Sequence, residues 1–139
     1  MKIVLDTNVW LSGIFWQGNP YQIIKSAEKG PFTVILSKPI LQEIAKVLNR
    51  EAKFQKFLSE KTLELEQLLK KIIEMSEIVD VKTTLNVISE DPEDNKVLEA
   101  AVDGDADYIV SGDRHLLQIK KFGKTKILSP REFLDITSH

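Results

Sequence analysis

Apolar positions along the chain fall into two alternating rhythms. Lys2-Ile3-Val4-Leu5 is a short apolar run that ends at Asp6, the pattern of a strand buried on both faces of a parallel sheet. Residues 32–36 and 106–111 have the same β-branched, apolar character, and Lys126-Ile127-Leu128 predicts a last strand. Between these runs the period changes. Behind Pro39, residues Ile40, Leu41, Ile44, Val47 and Leu48 recur on one helical face, and Val97, Leu98, Ala101 and Val102 do so ahead of Gly104. An earlier helix is expected with Asn19 as N-cap and Pro20 at its first position, running to about Lys29 before the stop Gly30-Pro31. The apolar residues from Val9 to Phe15 precede it, broken by Gly13 and Gly18. Residues 57–75 predict one or two amphipathic helices, 77–81 a short edge strand, and 83–90 a polar connection. Helices over 114–120 and from Pro130 to Ile136 complete the chain.

Strands alternating with helices predict an α/β protein with a doubly wound, mostly parallel sheet. No internal repeat, low-complexity tract or linker divides residues 1–139, so a single domain is expected. The N-terminus meets Asp6 after three apolar residues, too few for a signal peptide, and no stretch approaches the ~20 apolar residues that cross a bilayer. A cytoplasmic protein without membrane contact is the expectation.

Composition narrows the chemistry. There is no cysteine, and the only histidines are His115 and His139, which excludes thiolate catalysis, zinc–sulfur sites and histidine-rich metal sites. Nineteen Lys and Arg against 21 Asp and Glu give a formal charge of −2, so any polyanion must be held by a local patch. Carboxylates remain as the reactive groups.

In a doubly wound sheet, ligands bind beyond the carboxyl ends of the strands. Asp6 and Asp113 both follow buried strands at that edge, Glu43 lies one turn into the helix after the second strand, and Asp94 lies in the first turn of the helix introduced by Asp91-Pro92. Each also has an ordinary reading. Asp6 and Asp113 can cap the helices that follow them, Asp91 and Asp94 have the spacing of a capping box, and Glu43 can be a surface glutamate. Convergence favours chemistry, because carboxylates packed together raise one another's pKa and a divalent cation is the usual compensation. A phosphatase with an aspartyl nucleophile and a receiver-like signalling domain use related sheets, but Asn8 stands where the first places a second acid. The second lacks its lysine partner in the expected order.

These residues resemble those of the PIN-domain ribonucleases, including VapC-like toxins of prokaryotic toxin–antitoxin systems. The similarity rests on Ile3-Val4-Leu5-Asp6-Thr7-Asn8, Ser37-Lys38-Pro39 leading to Glu43, Asp91-Pro92-Glu93-Asp94-Asn95, and the segment from Ala106 through Ser111-Gly112 to Asp113. The resemblance implies a three-layer α/β/α sandwich and a Mg²⁺ or Mn²⁺ site of four acids, which carries onto Asp6, Glu43, Asp94 and Asp113. Asn8 and Ser111 match supporting polar positions, and Asp91 is a further acid at the rim. The implied activity is metal-dependent endonucleolytic hydrolysis of RNA by a toxin component, with a cognate antitoxin and a homodimer as implied partners. The alternative is a catalytically silent PIN-like module that binds RNA or protein. Lys46, Arg50 and Lys53 follow Glu43 on one expected helical stripe and form either an RNA track or a solvated basic face. Trp10, Phe15 and Trp16 are read as core or contact residues rather than base-stacking ones, and His115 as an exposed helix-start residue outside the site.

Overall fold

A computed structural model of the chain describes residues 1–60 and 64–137. Its central sheet has six strands in the order β3-β2-β1-β4-β6-β5, all parallel except β5, and helices flank it in an α/β/α sandwich. The strands are β1 (Lys2–Leu5), β2 (Thr33–Ser37), β3 (Ser76–Val79), β4 (Tyr108–Val110), β5 (Lys121–Phe122) and β6 (Thr125–Leu128). The helices are α1 (Thr7–Phe15), α2 (Asn19–Glu28), α3 (Lys38–Arg50), α4 (Ala52–Glu60), α5 (Leu65–Glu74), α6 (Asn95–Asp103), α7 (Arg114–Ile119) and α8 (Pro130–Thr137). Residues 61–63, inside the amphipathic stretch expected over 57–75, lie outside the described residues.

The central strands are the continuous apolar runs. Ile3, Val4 and Leu5 are fully buried, as are Ile35, Leu36, Ile109 and Val110 on the neighbouring strands. Burial on both faces requires a helical layer on each side. Helix α6 packs across β1, β2 and β4 with α3 beside it, while α8 packs on β6 and on α2. Phe133 of α8 meets Phe32 and Tyr108 edge to face, at ring separations of 5.2 and 5.8 Å. The chain runs outward from β1 to β2 and β3, then returns through α6 to β4 on the other side of β1. Connections from β1 and β4 therefore leave in opposite directions, and the crevice of the fold opens between their carboxyl ends.

Several boundaries differ from the expectation. Gly13 does not break the first helix but sits inside α1, where a Cβ would meet the Pro20 carbonyl oxygen at 2.8 Å, so its role is close approach of α1 to α2. Helix α2 begins one residue early: Gly18 is the N-cap, Asn19 makes no capping bond, and Pro20 occupies the second position. The strand β5, paired antiparallel with β6 through a turn at Gly123 (φ 59°), lies between the helix expected over 114–120 and the last expected strand, where no element is expected.

The polar connection before α6 is anchored by that helix. Asp103 Oδ2 accepts the backbone N–H groups of Lys82 and Thr83 at 2.7 and 2.8 Å, and Glu99 Oε2 accepts that of Leu85 at 2.8 Å. Asn95 Oδ1 accepts those of Val87 and Ile88, both at 3.0 Å, and its amide donates to the Ile88 carbonyl at 2.8 Å. Positions 95, 99 and 103 lie one turn apart, so one helical stripe satisfies a segment with no ladder of its own. This fixes the approach to Asp91-Pro92-Glu93-Asp94.

Candidate metal centre

Asp6 directly follows β1, as the N-cap of α1, and is 4% exposed. Its Oδ1 accepts the Val9 N–H at 2.7 Å, capping α1, and its Oδ2 accepts the Ser111 hydroxyl. Ser111 Oγ in turn accepts the Asp113 N–H at 2.9 Å, so one buried hydroxyl ties the two strand-end acids together. Asp113 Oδ1 accepts the His115 N–H at 2.7 Å and caps α7. The capping reading thus holds for both acids and does not compete with a metal role, since each carboxylate oxygen has a second lone pair.

Asp94 behaves otherwise. Residues 92–94 form a single 3₁₀ turn, and neither Asp91 nor Asp94 makes a side-chain capping bond, so no capping box forms. The Asp94 Oδ2 atom is buried and no donor reaches it. Burial, then the charges of Asp113 and Asp91, push the Asp94 carboxyl up to about 7. Burial also raises Asp6; the Ser111 and Val9 hydrogen bonds pull it back and the Asp113 charge adds to the rise.

One cavity of about 240 Å³ is lined by Asp6, Glu43, Asp94 and Asp113, together with Asn8 and Asp91. Four acids from four separate parts of the chain therefore face one crevice at the expected edge. Burial pushes Glu43 upward and the adjoining Glu93 carboxylate adds to it, while Lys96 and Lys46 offset the rise. Glu93 is held low, chiefly by its ion pair with Lys96. Glu93 and Lys96 line the same cavity and were not singled out from the sequence. Their i,i+3 spacing at the start of α6 was the available signal.

The basic stripe is only partly assembled. Arg50 lines the cavity, and Lys46 lies close enough to act on Glu43 and Glu93. Lys53 does not share the stripe. Helix α3 ends at Arg50, Glu51 turns to extended backbone (φ −94°, ψ 121°), and Lys53 lies on α4 with its ammonium 5.7 Å from the Trp16 ring and 5.0 Å from that of Phe54. Trp10 and Phe15 are core residues, whereas Trp16 is 52% exposed.

His115 lies closer to the acids than expected. Its ring is largely buried, Nδ1 is 3.4 Å from Asp113 Oδ1, and that nitrogen has no hydrogen-bond partner. One ligand atom each from Asp94, Asp113 and His115 lies within 4.8 Å of the others. Repelling carboxylates with a buried lone pair facing no donor fit a hard dication, which would satisfy the orphan oxygen and return the raised carboxyls to their ionised form.

By family model, residues 2–115 match the PIN domain. The fold resembles that in the crystal structure of VapBC2 from Rickettsia felis bound to a DNA fragment from their promoter, with a TM-score of 0.60 and 16% sequence identity. That match covers 91% of this chain and 97% of the other. No curated protein matches. Among the described residues no helix is long and apolar enough to cross a membrane.

Proposed function

Because the chain belongs to the PIN domain family, we propose that it is a divalent-metal-dependent endoribonuclease, hydrolysing RNA phosphodiester bonds with Asp6, Glu43, Asp94 and Asp113. The observation that carries this reading is the single cavity lined by all four acids, one of which, Asp94, carries a buried oxygen without a hydrogen-bond partner. A bound Mg²⁺ or Mn²⁺ supplies charge neutralisation at phosphorus and acidifies a water. Asp6 would be the central ligand at the base of the crevice, with Asp94 and Asp113 completing the metal shell. Ser111 keeps Asp6 and Asp113 in register, and Asn8 and Asp91 line the rim. Glu43, whose affinity for protons is raised by burial and by Glu93, is suited to take a proton from the attacking water. Arg50 and Lys46 offer phosphate contacts beside it, while Lys53 is engaged with aromatic rings.

The VapBC2 likeness extends the proposal to a toxin of a toxin–antitoxin pair, with a cognate antitoxin over the acidic crevice and a homodimer as the working unit. The intended compartment is the cytoplasm, where RNA is met. Incubating the purified protein with end-labelled RNA, in Mn²⁺ or in EDTA, tests the reading. Cleavage should require the metal and disappear in Asp6→Asn, which keeps the Val9 cap. Metal-independent products, or full cleavage by Asp6→Asn, would refute it, and RNA binding without cleavage would return the silent module instead.

A further inference from the structure

We propose that His115 is itself a cation ligand of this centre, making it a mixed oxygen and nitrogen site that favours a first-row transition dication such as Mn²⁺ over Mg²⁺. The inference rests on the metal-centre reading above and adds a donor outside the four acids.

The placement of the ring follows from local backbone chemistry. Asp113 Oδ1 accepts the His115 N–H at 2.7 Å, and this bond folds the first turn of α7 back so that the imidazole lies against the carboxylate that caps it. Nδ1 ends 3.4 Å from Asp113 Oδ1, without the geometry of a hydrogen bond, and no other group pairs with it. The side chain as a whole is 24% exposed, yet Nδ1 is buried, so the ring turns its outer edge to solvent and this nitrogen inward.

Two atoms of the group Asp94, Asp113 and His115 are buried and unpartnered. They are Asp94 Oδ2 and His115 Nδ1, and their residues, with Asp113, each bring one ligand atom within 4.8 Å of the others. A neutral imidazole presents a lone pair at an unprotonated Nδ1, as the carboxylates present theirs. Buried polar atoms left without a partner are costly, and a water could satisfy only part of such a set. A cation accepts from all three at once.

The identity of the third donor then decides the ion. Mg²⁺ favours oxygen and gives up its waters reluctantly, whereas imidazole suits first-row transition ions. A purely carboxylate centre has no such bias beyond that of its oxygens. His115 thus acts as the selectivity determinant, and replacing it should leave the Mg²⁺ affinity nearly untouched.

The experiment is metal binding to full-length protein, without RNA, for the wild type, His115→Gln and Asp94→Asn. Calorimetric titrations with Mn²⁺ and Mg²⁺ are joined to pulsed electron paramagnetic resonance of the Mn²⁺ complex, which reads directly bound nitrogen through its hyperfine coupling. Expected are a wild-type preference for Mn²⁺ of about tenfold or more, a drop of about tenfold in Mn²⁺ affinity in His115→Gln, and a change below about twofold for Mg²⁺. The nitrogen coupling should be present in the wild type and lost in His115→Gln, which assigns it to this residue rather than to His139. A wild-type Mn²⁺ complex without nitrogen coupling overturns the proposal even if His115→Gln does not fold, and so does an unchanged Mn²⁺/Mg²⁺ ratio in a folded variant. In either case Mn²⁺ binding that Asp94→Asn abolishes leaves the metal centre standing on its acids. Wild-type protein that binds neither ion removes the centre and the proposal together.

Discussion

Replacing Asp94 by Asn should stabilise the metal-free protein while removing its activity. Asp94 is held in a crevice where burial and the charges of Asp113 and Asp91 raise its carboxyl from 3.8 to about 7. At about 1.4 kcal/mol per pH unit, that gap amounts to roughly 4 kcal/mol of native-state cost when the group is ionised. Solvent reaches the half-buried side chain, so about 1–3 kcal/mol is the figure to expect at neutral pH. For a chain of this length that is a rise of about 3–12 °C in Tm.

The pH dependence fixes the cause. An acid whose folded pKa lies above its unfolded value binds more protons in the native state, so its presence lowers stability as pH rises between the two values. Asp94→Asn should therefore match the wild type below pH 4, gain on it through pH 4–7, and keep a constant advantage above. Mn²⁺ should reverse the order, since an ion at about 1,000 times its Kd adds about 4.1 kcal/mol to the protein that binds it. Thermal melts in EDTA and in Mn²⁺, from pH 4 to pH 8, measure both effects. An Asp94→Asn protein no more stable than wild type at pH 8 in EDTA, or one whose advantage is the same at pH 4, would refute the reasoning.

Asp6 separates function from capping: Asp6→Asn should keep most of the stability, whereas Asp6→Ala orphans the Val9 N–H and the Ser111 hydroxyl and should cost about 2–4 kcal/mol in urea unfolding. Glu93→Gln removes the charge that helps raise Glu43, so the acidic limb of the pH–rate profile should move to lower pH; an unmoved limb would take Glu43 out of proton transfer. Arg50→Glu should weaken RNA binding and reduce the slope of log affinity against log salt by about 1 or more, while Lys53→Glu should leave both near wild type. Equal effects of the two charge reversals in a filter-binding assay would mean that RNA runs over α4 instead.

The features legible in the sequence are those governed by backbone periodicity. Ile3-Val4-Leu5 and Ile109-Val110 are apolar on both faces, which dictates a covered parallel sheet, and a sheet wound outward in both directions from β1 places Asp6 and Asp113 on either side of its switch point. Glu43 follows from Pro39 and the apolar period of α3. What was not legible depends on contacts between segments distant in sequence. No Gly or Pro marks the end of α3, so a continuing helix put Lys53 on the wrong face; the packing of Phe54 against Phe15, 4.9 Å apart, is a tertiary cause of the break. The polar segment before α6 has no periodicity because its hydrogen bonds end on Asn95, Glu99 and Asp103, a stripe that reads as ordinary helix surface until its partner is known. Asp94 is the instructive case. The capping-box spacing at Asp91 and Asp94 predicts a satisfied carboxylate, and the 3₁₀ turn leaves one that is not. A local rule broken without a local compensation is where a ligand belongs, and here the broken rule lies among three other acids that folding brought to the same crevice.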